Sequence, residues 1–233
     1  MAMKRLISST LLCFAISAML HAQESERPTF ASILTPYLFP SDVSLSGKVL
    51  LFEKEWVKGK LLTANNTVVS NDSFLFNYDK IERRLLATTD FNKIFEIDWR
   101  EFKAVLFYSH DTGFVFKHIY PLSNKDLFQV LINGNEKYSL YKTVHMKIVK
   151  EYYFNTGSFR VPERYLDLPE YCILFPNREY RIIHLLKRGP IERIFNLNPD
   201  YLKVSEYLNA STKSIYDEED LKNLIKYLNK ETL

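Results

Sequence analysis

The hydrophobic period of this chain changes near residue 187, and that change limits its fold more than any other feature. From about residue 47 to 186, apolar residues recur every second position in short runs broken by turn residues; after 187 they recur with a period of 3.6. The first pattern makes strands and the second amphipathic helices, so the chain reads as sheet first and helices after. The expected fold class is α+β: an antiparallel β-sheet or a partly closed β-barrel followed by a C-terminal helical segment. A membrane barrel is disfavoured, because its strands must alternate to the end of the barrel. The many aromatics, 17 Phe, 15 Tyr and 2 Trp, suit a pleated, half-buried surface, while only six glycines argue against glycine-rich phosphate loops.

Turn chemistry divides the β-rich part. Ser73 to Tyr78 and Arg84 to Thr88 flank the polar Asp79-Lys80-Ile81-Glu82, and Lys103 to Ser109 and Phe114 to Tyr120 bracket His110-Asp111-Thr112-Gly113. The clearest hairpin runs from Leu127 to Ile132, through Asn133-Gly134, and back along Glu136 to Val149. Asn-Gly tolerates the positive φ angles of a type I′ turn. In the return strand Leu140, Val144, Met146 and Ile148 share one face, and Tyr141, Thr143, His145 and Lys147 share a wet one. A last hairpin joins Cys172 to Phe175 with Tyr180 to Leu186.

The helices carry their own punctuation. Gly189-Pro190 opens a short one bearing Ile191, Ile194 and Phe195. Asn198 is an N-cap followed by Pro199 at the first helical position, and this helix runs to about Leu208. Asp217 caps the final helix, where Leu221, Leu224, Ile225 and Leu228 form the apolar stripe. Glu218, Glu219 and Asp220 sit at its positive end, and Lys222, Lys226 and Lys230 read as a solvated face.

The first 22 residues have the layout of a secretory signal peptide: Lys4 and Arg5, an uncharged apolar stretch from Leu6 to Leu20, then Ala22 before Gln23. The apolar stretch is short for a span, so no transmembrane span is expected in the mature chain. The expected organisation is a signal peptide over 1–22, an irregular lead-in over 23–46, and one α+β domain over 47–233, β-rich to 186 and helical from 187. Within the lead-in Phe30, Ile33 and Leu34 fit one helical turn that Pro36 and Pro40 would stop. Processing would remove two cations and no acid, taking the net charge from +3 to about +1. Such a balance offers no field for nucleic acid, and no nucleic-acid partner is expected. Cys13 would leave with the signal, so Cys172 could form no internal disulfide. Its apolar neighbours, Tyr171 and Ile173 to Phe175, mark it as a buried structural cysteine.

Chemistry-bearing motifs are scarce. His110, His118, His145 and His184 are never three or four residues apart, so no helical zinc pair exists, and neither a nucleophile elbow nor a calcium loop is present. No metal, cofactor or catalytic residue is nominated, and no ligand-binding residue can be named. Ser109-His110-Asp111 has the letters of a hydrolase triad, but adjacent side chains are not expected to form the relay, and a turn is the expected account. His118 with Phe114, Phe116 and Tyr120 could be a sugar-stacking platform or an aromatic core with one satisfied histidine; the core is expected. Trp56 and Trp99 are likewise expected mostly in the core, and His145 is expected to face solvent. A carboxylate pair could meet across the sheet, although the sequence does not nominate one. Three Asn-glycosylation patterns begin at Asn65, Asn71 and Asn209.

The run Trp56-Val57-Lys58-Gly59, the strand Phe128-Gln129-Val130-Leu131 leading into Asn133-Gly134, the hairpin from Tyr171 to Leu185, and the ending Glu218-Glu219-Asp220-Leu221 to Tyr227-Leu228-Asn229 together resemble a group of uncharacterised exported proteins of Bacteroidetes-type bacteria. That resemblance covers most of residues 48–230. It implies a single-domain α+β protein in the envelope of a Gram-negative cell, periplasmic or secreted, and no activity. The expected function is a non-enzymatic binding or structural module whose partner is an envelope protein or a small ligand. The alternative is a carboxylate-dependent hydrolase acting on glycan or peptide.

Overall fold

The computed structural model describes residues 38–41, 49–53, 55–91, 93–123, 125–143, 145–150, 163–210, 215 and 217–230. The signal segment and the helical turn expected near Phe30 lie outside them. A four-stranded antiparallel sheet joins Leu38–Ser41 (β1), Leu75–Asp79 (β4), Arg84–Thr88 (β5) and Ile94–Ile97 (β6) in the order β1-β6-β5-β4. An eight-stranded sheet holds Lys58–Thr63 (β2), Val68–Ser70 (β3), Phe102–Ser109 (β7), Thr112–His118 (β8), Leu127–Ile132 (β9), Ser139–Thr143 (β10), Tyr171–Leu174 (β13) and Tyr180–Ile183 (β14). Its order is β14-β13-β10-β9-β8-β7-β2-β3. Met146–Lys150 (β11) and Glu163–Asp167 (β12) form a separate ribbon. All pairings are antiparallel, and the large sheet does not close on itself. Of the two expected forms, the open sheet is the one this chain adopts.

Three local expectations need correction. Leu38–Ser41 lies inside the expected irregular lead-in but pairs with β6, more than fifty residues away, a contact that no local pattern announces. The return strand from Glu136 to Val149 is two strands in different sheets. Thr143 N–H still bonds the backbone oxygen of Glu170, whereas Met146 N–H bonds that of Lys80, so the chain has left the large sheet by Met146. The expected wet face is therefore lost: Tyr141 and Thr143 are buried along with Leu140. Third, Asn133-Gly134 is not a two-residue turn. The connection runs from Asn133 to Tyr138, with Asn135 in the left-handed region at φ 53°. The tight turn sits instead at His110-Asp111, where both residues have positive φ. Gly113 already belongs to β8, and that strand ends at His118 rather than Tyr120.

Three helices cover one face of the large sheet: Arg188–Phe195 (α1), Tyr201–Ala210 (α2) and Glu218–Lys230 (α3). Asp217 caps α3 as expected, whereas Asn198 closes the turn before α2, so that Pro199 lies outside the helix rather than at its first position. Asp200 N–H donates to Asn198 Oδ1 at 2.9 Å, and Asp220 N–H to Asp217 Oδ1 at 2.8 Å. The stripe of Leu221, Leu224, Ile225 and Leu228 is fully buried against Leu140, Ile173 and Ile183 of the sheet and Ile191 and Phe195 of α1. Tyr138, Phe175 and Phe195 meet as a ring cluster with centroids 5.1 to 5.9 Å apart, which fixes α1 to the sheet. The Tyr138 hydroxyl lies 2.6 Å from Asp200 Oδ2 and 2.9 Å from Asn198 Oδ1, so the same side chain also ties down the start of α2.

Glu218 anchors the N-terminal end of α3. It accepts hydrogen bonds of 2.8 Å from Lys142 of β10 and from Lys222 one turn on, and one of 3.3 Å from the Tyr171 hydroxyl. Burial works against its charged form, but the two lysines outweigh burial and hold the carboxyl below its usual range. A group whose pKa is depressed on folding stabilises the fold above its unfolded pKa and ceases to do so as pH falls through the folded value. The contribution is thus complete at neutral pH, begins to fall below about pH 4.5, the ordinary value for this group, and is gone once pH passes below the lower folded value. Urea midpoints at pH 7 and pH 3.5 check this: the fall should be smaller for Glu218→Gln than for the natural chain, and equal falls would refute it.

Candidate functional site

Register alone identifies a row of unpartnered backbone groups on β14. In an antiparallel pair, every second residue turns its N–H and C=O toward the neighbouring strand. Thr143 N–H bonds Glu170 O, so Cys172 and Leu174 direct their backbone groups to β10. Phe175 N–H bonds Glu179 O, so Ile173 and Tyr171 direct theirs to Arg181 and Ile183 of β14. Both observations agree, and both leave Tyr180 and Ile182 with N–H and C=O aimed away from the sheet. β14 is the edge strand, and among the described residues no strand pairs with its outer side.

The helix beside this edge turns it into a groove. Ile183 points to the helical face of the sheet and is buried against Ile191 and Phe195 of α1, and Arg181, two residues before it, points to the same face. Between β14 and α1 lies a groove of about 450 Å³, lined by Arg181 to Leu185 on one side and Pro190, Arg193 and Ile194 on the other. That volume lies within the range of ligand sites. Leu185 is exposed beside it, and Ile182, whose side chain lies on the opposite face of the sheet, is exposed along the edge. Among the described residues no acidic side chain lines the groove. Arg181 is paired with Glu179 at 2.9 Å, and His184 Nδ1 lies 2.7 Å from Glu170 Oε1. Among the described residues Arg193 makes a single 3.4 Å contact, to the Gly189 carbonyl oxygen.

The sequence reading missed Arg181, Ile182, Pro190 and Arg193 as site residues. The available signal was a short strand with apolar residues on both faces, Tyr180 to Leu185, running directly into Gly189-Pro190. Such a strand has no solvent face of its own, yet it lies at an edge.

The residues weighed from sequence are dispersed. Ser109 Oγ does come within 3.0 Å of His110 Nδ1, contrary to expectation, because His110 is in the left-handed region at φ 47°. The carboxylate that meets the ring is Glu55, 3.3 Å from Nε2, not Asp111. The His110 side chain is 78% exposed, so nothing shields a developing charge there, and the segment remains a turn. Phe116 is core, packed on Phe107 at 5.2 Å, while Tyr120 is exposed beyond the strand. The His118 Nε2 is satisfied by the carbonyl of Ser123 at 2.7 Å, so these rings form no platform. His145 is half-buried rather than solvent-facing, since the chain crosses between sheets there, and its Nδ1 is buried without a hydrogen bond. Trp56 is half-buried; Trp99 opens a 3-10 turn, and the placement of its side chain lies outside what the structure describes.

Cys172 is buried at 1% exposure, and desolvation pushes its thiol up to about 12, so it is not a nucleophile at neutral pH. It lines a small cavity on the face of the sheet opposite the helices. Asp126 and Glu170 line the same cavity, but each already has a basic partner, Arg83 at 3.3 Å and His184 at 2.7 Å. The cavity volume is about 50 Å³, room for one or two waters and not for a sugar ring. Among the described residues no group of three or more His, Cys, Asp or Glu is placed to hold a metal ion, and no helix is long and apolar enough to cross a membrane. Comparison with protein-family models, with curated proteins and with solved structures finds no match to this chain.

Proposed function

We propose that the chain is an exported envelope protein that acts as a non-enzymatic binding module, taking an extended segment of a partner as an added strand on β14. The observation that carries this reading is the unpartnered backbone of Tyr180 and Ile182 directly beside the groove under α1. Main-chain hydrogen bonds to a sheet edge give affinity, and side-chain pockets beside it give selectivity. Export is supported by the first 22 residues, with their two cations, apolar stretch and small residue before Gln23.

Two measurements test the two halves. Titration with a neutral eight-residue peptide of alternating Thr and Leu should shift the amide resonances of Tyr180 to Ile183 and of α1. Shifts elsewhere only, or none at millimolar peptide, would remove the binding reading. Expression in a Gram-negative host, followed by mass measurement, should find a chain beginning at Gln23; an intact Met1 in the envelope fraction would remove the export reading.

A further inference from the structure

Resting on the reading of β14 as a strand-accepting edge, we infer that the segment it accepts is anionic, with an acidic residue two positions from an apolar one. An added strand places its side chains on the same face as the β14 residues opposite them. The residue opposite Ile183 then lies on the helical face, beneath Pro190 and Ile194, where only an apolar side chain is at home. Two positions along the added strand, the residue opposite Arg181 lies on that face too, between Arg181 and Arg193. A carboxylate there faces two guanidinium groups and, among the described residues, no acid from the groove lining. Arg181 has Glu179 as a partner, but that pair is half exposed and exchangeable, and Arg193 meets no carboxylate among the described residues. Planar guanidinium groups bind carboxylates through paired donors, so the preference is for Asp, Glu or a chain-terminal carboxylate.

A second copy of this chain is a poorer occupant. Two β14 strands laid against each other would bring Arg178, Arg181, Lys187, Arg188 and Arg193 of both copies toward one seam, more cations than the nearby Glu170, Glu179 and Glu192 offset. Like charges across a strand pair are destabilising.

The test uses the whole chain and eight-residue fluorescent peptides of Thr and Ser carrying one Glu and one Leu two positions apart, in both orders. Matched peptides carry Gln or Lys in place of Glu. One order of the Glu peptide should bind about tenfold or more tighter than its Lys counterpart, the size of a charge-assisted hydrogen bond. Arg193→Glu, an exposed change that leaves the core intact, should reverse that order. Ile182→Pro should abolish binding of every peptide; its missing N–H points away from the sheet, a position where an edge strand tolerates proline. If Glu, Gln and Lys peptides bind equally and Ile182→Pro still abolishes binding, the charge inference is overturned and the edge reading stands. If none binds, or Ile182→Pro binds as well as the natural chain, the edge reading itself fails. A stable dimer in light scattering that Ile182→Pro dissociates would overturn the peptide as occupant in favour of a second copy.

Discussion

Gly134→Ala is expected to destabilise the fold by about 3–5 kcal/mol, from overpacking and a lost buried hydrogen bond together. A Cβ at this position would lie 2.1 Å from the backbone oxygen of Tyr138 and 2.7 Å from its carbonyl carbon. Those atoms are main chain and cannot rotate away. They are also committed elsewhere. Tyr138 O accepts from Asn229 Nδ2 at 2.9 Å, and Tyr138 N–H donates to Asn229 Oδ1 at 2.9 Å, so this loop is the seat for the last turn of α3. Lys137 Nζ adds a 2.8 Å bond to the Asn229 carbonyl. Displacing Tyr138 O therefore pulls on the hairpin, on α3, and on the ring cluster of Tyr138 with Phe175 and Phe195. Because whole domains are stable by only about 5–15 kcal/mol, part of the population should unfold at 37 °C. Gly189→Ala is the control: nothing lies within 4 Å of a Cβ there, and the residue is in the first turn of α1, so that change should be neutral or slightly stabilising. Urea midpoints decide the matter, and a Gly134→Ala chain within about 1 kcal/mol of the natural one would refute the steric account, since that is no more than an ordinary substitution costs.

The same glycine shows what kind of information the sequence holds. Asn133-Gly134 marks a turn correctly, but the glycine is required for space, not for positive φ, and only the fold reveals that Tyr138 closes over it. Features written within one element are legible. The Asn198 turn, the Asp217 cap, the α3 stripe and the hairpin of β4 with β5 all depend on residues a few positions apart. Features set by strand order are not. Whether Tyr180 to Ile183 is an edge depends on β13 inserting beside β10, about thirty residues earlier in the chain, and on nothing following β14 back into the sheet. Alternation is equally silent about a strand changing sheets, which is why His145 reads as solvent-facing and is half-buried. The groove was illegible for this reason: Arg181 and Arg193 become one site only after α1 has folded back along the edge.

That dependence makes Phe195→Ala the most informative core change, with an expected loss of about 3–5 kcal/mol. Phe195 is fully buried at the end of α1, and its ring packs 5.1 Å from Phe175 and 5.9 Å from Tyr138. With Ile191 it is the buried face of this eight-residue helix, which is far too short to hold itself together in water. Removing the ring leaves a cavity bounded by the rigid β13 hairpin and by Tyr138, whose hydroxyl is held by Asn198 and Asp200, so little can collapse into it. Denaturant midpoints measure the loss, and Leu197→Ala is the control, since Leu197 is 90% exposed and should change stability by no more than about 0.5 kcal/mol. Hydrogen exchange supplies the second readout. The α1 amides should exchange faster in Phe195→Ala under conditions where β9, β10 and β13 remain protected, because the helix holds to β14 and α2 through only two buried side chains, Ile191 and Phe195. If α1 is the wall of the groove, peptide binding at β14 must weaken in step with that loosening while the edge strand itself stays folded. Uniform acceleration across sheet and helix would show instead that α1 and the sheet unfold as one unit. Undiminished peptide binding with a frayed α1 would show that the helix is no part of the site.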